Sequence, residues 1–142
     1  MILDSVNEVF GRMLSAGITP VITHPERNAA LRRRLDGITQ WVQAGCRVQV
    51  TAQSFLGRFG KRARAASDEL MRRGLVHFVA SDAHDATDRA PVLDVAYQRV
   101  AWRYGEPCAQ ALFVSNPRAV LAGDTVEAAI PEVRARRWWW WR

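Results

Sequence analysis

Two side chains able to bind a metal ion follow directly after an apolar run near the middle of the sequence. The run reads L-V-H-F-V-A-S-D-A-H-D from Leu75 to Asp85, and its candidate ligands are Asp82 and His84. In an extended segment, residues two apart point to the same side. The carboxylate of Asp82 and the imidazole of His84 are therefore expected to project together if the chain stays extended through Ser81.

A second set of chemically capable residues is H-P-E-R, from His24 to Arg27, after the β-branched stretch I-T-P-V-I-T. Two imidazoles and one carboxylate are a suitable ligand set for zinc, iron or manganese. The forked guanidinium of Arg27 suits phosphate oxygens. Such a site would support metal-assisted phosphoester hydrolysis, in which the ion lowers the pKa of bound water from about 15.7 to roughly 7.

The elements predicted around these residues place them at one edge of a sheet. Apolar and β-branched runs predict strands at residues 18–23, 46–51 and 75–80. Apolar residues at three- and four-residue spacing predict helices at residues 5–16, 28–44, 61–73, 91–104, 106–113 and 116–123. Asn28 and Asn116 are predicted N-caps, and residues 52–60 a glycine-punctuated loop. Alternating strands and helices predict an α/β fold with a parallel sheet, whose ligands gather at the carboxyl ends of the strands.

Composition indicates one folded domain. The chain has 142 residues, of which 49% are hydrophobic and 24% charged. Two cysteines without C-x-x-C spacing predict neither a disulfide framework nor a zinc knuckle, which favours a reducing cytoplasm. No signal sequence and no integral membrane segment of roughly 18–20 apolar residues is expected.

The net charge of +6 is unevenly distributed. Arginines cluster at residues 32–34 and in an irregular Arg/Trp-rich segment, residues 124–142, which ends in four tryptophans. Lys61 is the single lysine, a bias that genome base composition explains, so a nucleic-acid partner is not predicted. Arg32 to Arg34 fit either a solvated helix face or a surface that contacts an acidic partner.

Four blocks, in order, resemble the polymerase and histidinol phosphatase (PHP) superfamily. They are P-V-I-T-H-P-E-R-N, V-Q-V-T-A-Q-S-F-L-G-R-F-G, H-F-V-A-S-D-A-H-D with Arg89 and Pro91 after it, and S-N-P-R-A-V-L. Within that superfamily they most resemble the manganese-dependent protein-tyrosine phosphatases of bacterial capsule and exopolysaccharide operons. The resemblance covers roughly residues 5–123.

The resemblance implies a distorted β/α barrel and a metal-dependent phosphatase. Its substrate would be phosphotyrosine on a bacterial tyrosine kinase that controls capsular or extracellular polysaccharide biosynthesis. By motif position, His24, Asp82 and His84 would bind Mn²⁺ or another divalent ion, and Arg27 would bind the phosphate, so these four would be the catalytic residues. Glu26 would support a neighbouring group, and Arg89 would order the substrate side.

The sequence departs from the family pattern at its beginning. An H-x-H motif, a D-D-G segment and further glutamate ligands precede the H-P-E-R block in the family, and this sequence has none of them. The histidines are His24, His77 and His84; His77, inside an apolar strand, is expected to be a core residue. Residues 1–123 therefore resemble the C-terminal portion of such a domain, with three ligands for at most one ion.

Two further hypotheses stay open. One is a non-catalytic basic protein that uses the arginine-rich surface and the tryptophan tail to bind an acidic partner, a membrane surface or nucleic acid. The other is a PHP phosphatase acting on a small phosphoester. A cysteine-based tyrosine phosphatase is excluded, because the arginine required six residues after the nucleophile is Ala52 for Cys46 and Val114 for Cys108. The oligomeric state is left open.

Overall fold

The computed structural model describes residues 2–131 of the chain, with side chains from Ser5 onward. The end of the predicted Arg/Trp-rich tail, which holds its arginines and its four tryptophans at residues 134–142, lies outside the described residues.

Three short strands form a parallel sheet, as the sequence predicted. The strands are β1 (Val21–Thr23), β2 (Arg47–Thr51) and β3 (Phe78–Ala80). They lie in the order β1-β2-β3, and both neighbouring pairs are parallel. The carboxyl ends of all three strands therefore face the same edge of the sheet.

Helices connect the strands and follow them. Within residues 2–131 the α-helices are α1 (Ile2–Ser15), α2 (Ala29–Arg32), α3 (Leu35–Ala44), α4 (Ala52–Phe55), α5 (Gly60–Arg72), α6 (Asp94–Tyr104), α7 (Glu106–Gln110) and α8 (Asn116–Ala122). A 3₁₀ turn, Pro25–Arg27, follows β1, and a π-helical turn, Ala111–Ser115, joins α7 to α8. No helix in the described part of the chain is both long enough and apolar enough to cross a bilayer.

The core lies on the central strand. Val48 and Val50 of β2 are fully buried, and one buried cluster joins them to Ile38 of α3, Val100 of α6 and Leu112 of the π-helical turn. Each such side chain contributes roughly 1.5–3 kcal/mol by leaving water. The helices therefore fix the sheet on which the strand ends are displayed.

The predicted helix at residues 28–44 is wrong in one respect, because it is broken. Asn28 is the N-cap as predicted, since its Oδ1 accepts from the backbone N–H groups of Ala30 and Leu31 at 2.9 and 3.2 Å. The chain then leaves the helical region at Arg34, where φ is −134°. After the break, α3 buries Ile38 and Trp41 in the core. Only tertiary packing decides this.

Two further boundaries also differ from the sequence predictions. The loop predicted at residues 52–60 begins with the short helix α4, and the helix predicted from Pro91 begins at Asp94.

Asn116 is not an N-cap, because the π-helical turn continues into α8 and leaves Asn116 helical, with φ −66°. Its side-chain amide instead donates to the carbonyl oxygens of His77 and Glu127 at 2.8 and 2.9 Å.

The segment after α8 returns to the core. Val126 and Ala129 are buried, and the Ala129 N–H donates to the Val76 carbonyl oxygen at 3.1 Å. Residues 124–131 form neither helix nor strand. The division of the chain at residue 123 stays a prediction.

Candidate functional site

His24 lies at the carboxyl end of β1. Its backbone N–H donates to the carbonyl oxygen of Gln49 on β2 at 2.8 Å, so strand pairing fixes its position. Its backbone is left-handed, with φ 39°, and turns the chain into the 3₁₀ turn that carries Arg27.

Asp82 occupies the corresponding place after β3, and its backbone is also left-handed, with φ 53°. Between residues 2 and 131, His24 and Asp82 are the two non-glycine residues with positive φ. This conformation costs an L-residue about 1–2 kcal/mol and is concentrated at functional sites. Both strained residues are predicted ligands, and both lie at the sheet edge where ligands gather.

The condition for Asp82 and His84 to project together is not met. The strand β3 ends at Ala80 and Asp82 has a left-handed backbone, so the chain is not extended through this segment. The Nδ1 of His84 lies 2.8 Å from the Asp82 carbonyl oxygen. Alternation along a strand applies only as far as the strand continues.

Two arginines converge on the carboxylate of Asp82. Nη1 of Arg27 donates to Oδ2, and Nη2 of Arg89 donates both to Oδ2 and to the Asp82 carbonyl oxygen, the latter at 2.9 Å. All three side chains are partly exposed. The cluster holds two positive charges against one negative charge, so it presents a net positive charge to solvent.

The arginines set the charge state of Asp82. Partial burial by itself raises the pKa of this carboxyl. The hydrogen bond from Arg27 and the charges of Arg89, Arg27 and His24 together lower the pKa by more than burial raises it. The net pKa of Asp82 lies below its usual value, so the group is ionised at neutral pH.

Asp85 shapes the loop that presents Arg89. Its Oδ1 accepts from the backbone N–H groups of Thr87, Asp88 and Arg89 at 2.8, 2.6 and 3.0 Å. These bonds lower the pKa of Asp85, so it stays ionised and keeps the turn closed. The His84 N–H donates to the Arg89 carbonyl oxygen at 3.0 Å, which ties the two ends of the loop together. Sequence reasoning singled out Arg89 but missed Asp85.

Glu26 anchors the turn that carries Arg27. The carboxylate is completely buried, and its Oε1 accepts from the Thr51 N–H at 3.0 Å and from the Ser54 hydroxyl at 2.7 Å. Both partners lie where β2 passes into α4. The structure thus gives Glu26 a supporting position.

Sequence reasoning also missed the wall of the site. The Arg27 guanidinium lies over the ring of Phe59, with Cζ 4.1 Å from the ring centroid. Phe59 lines a cavity of about 190 Å³ together with Gln53, Arg58, Ser81, Asp88 and Arg89. A neighbouring cavity of about 250 Å³ shares Gln53, Arg58 and Asp88 and has an apolar wall that includes Val92 and Val95. The sequence signal for this wall was Phe59, an aromatic residue between the glycines of the segment 52–60.

The donor set has the right chemistry for a divalent ion but not the arrangement. Among the residues that the structure describes, no three or more His, Cys, Asp or Glu side chains are grouped so that they could hold a metal ion. The Asp82 carboxylate is bound by arginines, and His84 is exposed. His24, Asp82 and His84 thus do not fit as a three-ligand site in this arrangement, and their role as metal ligands stays a prediction.

His77 is a core residue, as predicted. Its side chain is 2% exposed, and its Nδ1 accepts from the Val48 N–H at 3.1 Å. Burial and the nearby charge of Arg47 lower its pKa from 6.5 to about 4, so the ring is neutral at physiological pH.

Comparisons with known proteins identify the chain's relatives. A family model described as "Capsular polysaccharide synthesis, CpsB/CapC" matches residues 2–122. The putative tyrosine-protein phosphatase CapC of Staphylococcus aureus is 33% identical over 135 residues, which are 93% of this chain and 52% of that protein. The tyrosine-protein phosphatase CpsB of Streptococcus pneumoniae is 36% identical over 119 residues, 80% of this chain and 49% of that protein.

A solved structure shows the same fold. It comes from work on YwqE of Bacillus subtilis and CpsB of Streptococcus pneumoniae, described there as unique metal-dependent tyrosine phosphatases. The TM-score is 0.81 at 31% identity, and the match covers 92% of this chain and 53% of the solved chain. The α/β fold predicted from the sequence is therefore confirmed, and the chain spans about half the length of the curated relatives it matches.

Proposed function

The chain belongs to the CpsB/CapC family of capsular polysaccharide synthesis, and on that premise we propose that it is the phosphate-binding portion of a metal-dependent protein-tyrosine phosphatase. The observation that carries the proposal is the cluster of Arg27, Asp82 and Arg89 at the sheet edge, where Asp82 is one of the two strained residues. A cluster with excess positive charge at this edge is suited to a phosphoryl group.

Arg27 and Arg89 are the proposed phosphate-binding groups. Each guanidinium presents planar donors that match phosphate oxygens, and such charge-assisted bonds are about twice as strong as neutral ones. Without substrate, Asp82 pairs with both arginines and holds them in place. On binding, phosphate oxygens accept from the remaining donors, and the positive charge stabilises the negative charge that develops as the phosphoester bond breaks.

The adjoining cavities supply a place for the phenyl ring. The cavity of about 190 Å³ lies between Phe59 and Arg89, directly beside the arginines. Its apolar neighbour contains Val92 and Val95, which are about half exposed. This apolar space favours an aromatic phosphoester over the small phosphoester of the competing PHP hypothesis.

We propose Mn²⁺ as the ion, with other divalent ions as alternatives, and a bacterial tyrosine kinase as the phosphotyrosine protein. The cytoplasm suits both buried free cysteines, Cys46 and Cys108, because neither needs an oxidising environment.

Hydrolysis of a phosphotyrosine peptide and of p-nitrophenyl phosphate, with and without added Mn²⁺, tests the proposal. Arg27→Gln and Asp82→Ala are expected to lower kcat/KM by about 100-fold, the usual effect of removing a donor to developing charge or its positioning group. Arg12→Gln, an exposed change on α1, is the matched control and should leave the rate unchanged. Turnover by the wild type that both site variants match would refute the assignment.

A further inference from the structure

A further cavity is lined by residues other than those of the arginine cluster. Its volume is about 570 Å³, and it lies between the α2–α3 segment and α5. Its polar lining consists of Arg32, Arg33, Arg62 and Glu69, and alanines with Leu35 form the apolar part. We call it the arginine cleft. Volumes of roughly 300–1,000 Å³ are typical of ligand sites.

The positive charge of the arginine cleft is not balanced within it. The Glu69 carboxylate is occupied by α5 itself, since Oε1 accepts from Arg73 Nε at 2.7 Å and Oε2 from Arg72 at 2.5 Å. The hydrogen bond from Arg73 lowers the pKa of Glu69, so its charge is present but already paired. The side chains of Arg33 and Arg62 make no hydrogen bond or ion pair to other described residues.

The arginine cleft is joined to the phosphate site through Arg32. Nη1 of Arg32 donates to the carbonyl oxygens of Glu26 and Arg27 at 3.2 and 2.8 Å. Carbonyls satisfy the N–H donors but leave the charge of Arg32 uncompensated. Arg32 thus connects the arginine cleft to the backbone of Arg27, whose side chain is a proposed phosphate-binding group.

We propose that the arginine cleft binds an acidic segment of the substrate protein, next to its phosphotyrosine. An extended peptide advances about 3.3 Å per residue, so carboxylates within a few positions of the phosphotyrosine can reach the cleft. The apolar part accepts the methylene groups of glutamate side chains, and the three guanidinium groups take their carboxylates. This inference rests on the proposed phosphatase function and adds a second recognition site to it.

Fluorescence anisotropy with the full chain tests the inference. The probes are labelled peptides with a central phosphotyrosine flanked on both sides by Glu or by Gln, and the same two peptides without phosphate. We expect the Glu phosphopeptide to bind about tenfold more tightly than the Gln phosphopeptide at low salt, and the preference to shrink as salt screens the pairs.

Matched variants separate the cleft from net charge. R33Q/R62Q should remove the preference for Glu, whereas R12Q/R118Q, which removes two exposed positive charges on α1 and α8, should retain it. A third phosphopeptide, flanked by Lys, serves as the probe for R33E/R62E. This variant should bind the Lys phosphopeptide more tightly than the Glu phosphopeptide, a gain that an unfolded variant could not show.

Three results would overturn the inference. Equal affinity of wild type for Glu and Gln phosphopeptides would exclude acidic recognition, and equal losses in R33Q/R62Q and R12Q/R118Q would attribute it to net charge. If Glu peptides bound equally with and without phosphate, the phosphatase proposal would fail. The acidic segment bound in the arginine cleft would then not belong to a phosphotyrosine substrate.

Discussion

Replacing Glu26 with alanine tests how the phosphate site is held. The carboxylate fixes the turn that carries Arg27 by accepting from the Thr51 N–H and the Ser54 hydroxyl. Glu26→Ala removes the acceptor of both buried donors. We expect a less stable protein in which phosphate binding is also weakened, because the turn is no longer tied to β2.

The magnitude follows from the two lost hydrogen bonds. A buried donor left without a partner costs about 1–3 kcal/mol. Part of this loss is offset, since the carboxylate no longer has to be desolvated. The net decrease in the free energy of unfolding is therefore expected to be about 2–4 kcal/mol, which is roughly 5–15 °C in Tm for a domain of this size.

Urea unfolding followed by circular dichroism measures the effect, in a double-mutant cycle with Ser54→Ala. Ser54→Ala alone removes one bond and should cost about 1 kcal/mol. With Glu26→Ala already present, the serine hydroxyl has no carboxylate partner to lose, so the coupling energy should be about 1–2 kcal/mol. Glu8→Ala, on the exposed face of α1, is the control and should change stability by less than about 0.5 kcal/mol. A cost below about 1 kcal/mol for Glu26→Ala, or additive effects in the cycle, would refute the anchoring role.

Three further predictions concern the core and its attachments. Burial lowers the pKa of His77 to about 4, so the unfolded chain binds the proton first as pH falls. Stability should thus be full above about pH 6.5 and fall by up to roughly 1.4 kcal/mol per pH unit toward about pH 4. Between about pH 6.5 and 5, above the range in which the carboxyl groups titrate, urea unfolding should show this slope in the wild type and in His84→Asn but not in His77→Asn. Asn116→Ala removes the bonds to the carbonyls of His77 and Glu127, so we expect a loss of about 1–2 kcal/mol and faster hydrogen exchange in residues 124–131 by mass spectrometry. Burial raises the pKa of the Cys108 thiol to about 11, so a colorimetric thiol reagent at about pH 8 should react with it at least about 100-fold more slowly in the native protein than in urea, and comparable rates would contradict its burial.

Local sequence patterns determined the elements and their order. The β-branched run before His24 and the apolar run before Ser81 both became strands. Ile22 of β1 and Phe78 and Val79 of β3 are buried, whereas Val21 and Thr23 of β1 are exposed. Since the strands are parallel, their carboxyl ends meet at one edge, and this alone places His24 and Asp82 there. The sequence could thus identify the sheet edge and the family before any coordinates.

Only the tertiary structure decided how the side chains at that edge are arranged. Asp82 adopts a left-handed conformation that ends the extended segment, so His84 turns toward a backbone carbonyl and the carboxylate meets Arg27 and Arg89. Arg89 reaches Asp82 from within a loop that is closed by the hydrogen bonds of the Asp85 carboxylate to backbone N–H groups. The periodicity of apolar residues does not encode such a turn. The elements follow from short-range patterns, whereas the site depends on contacts between segments as much as 55 residues apart.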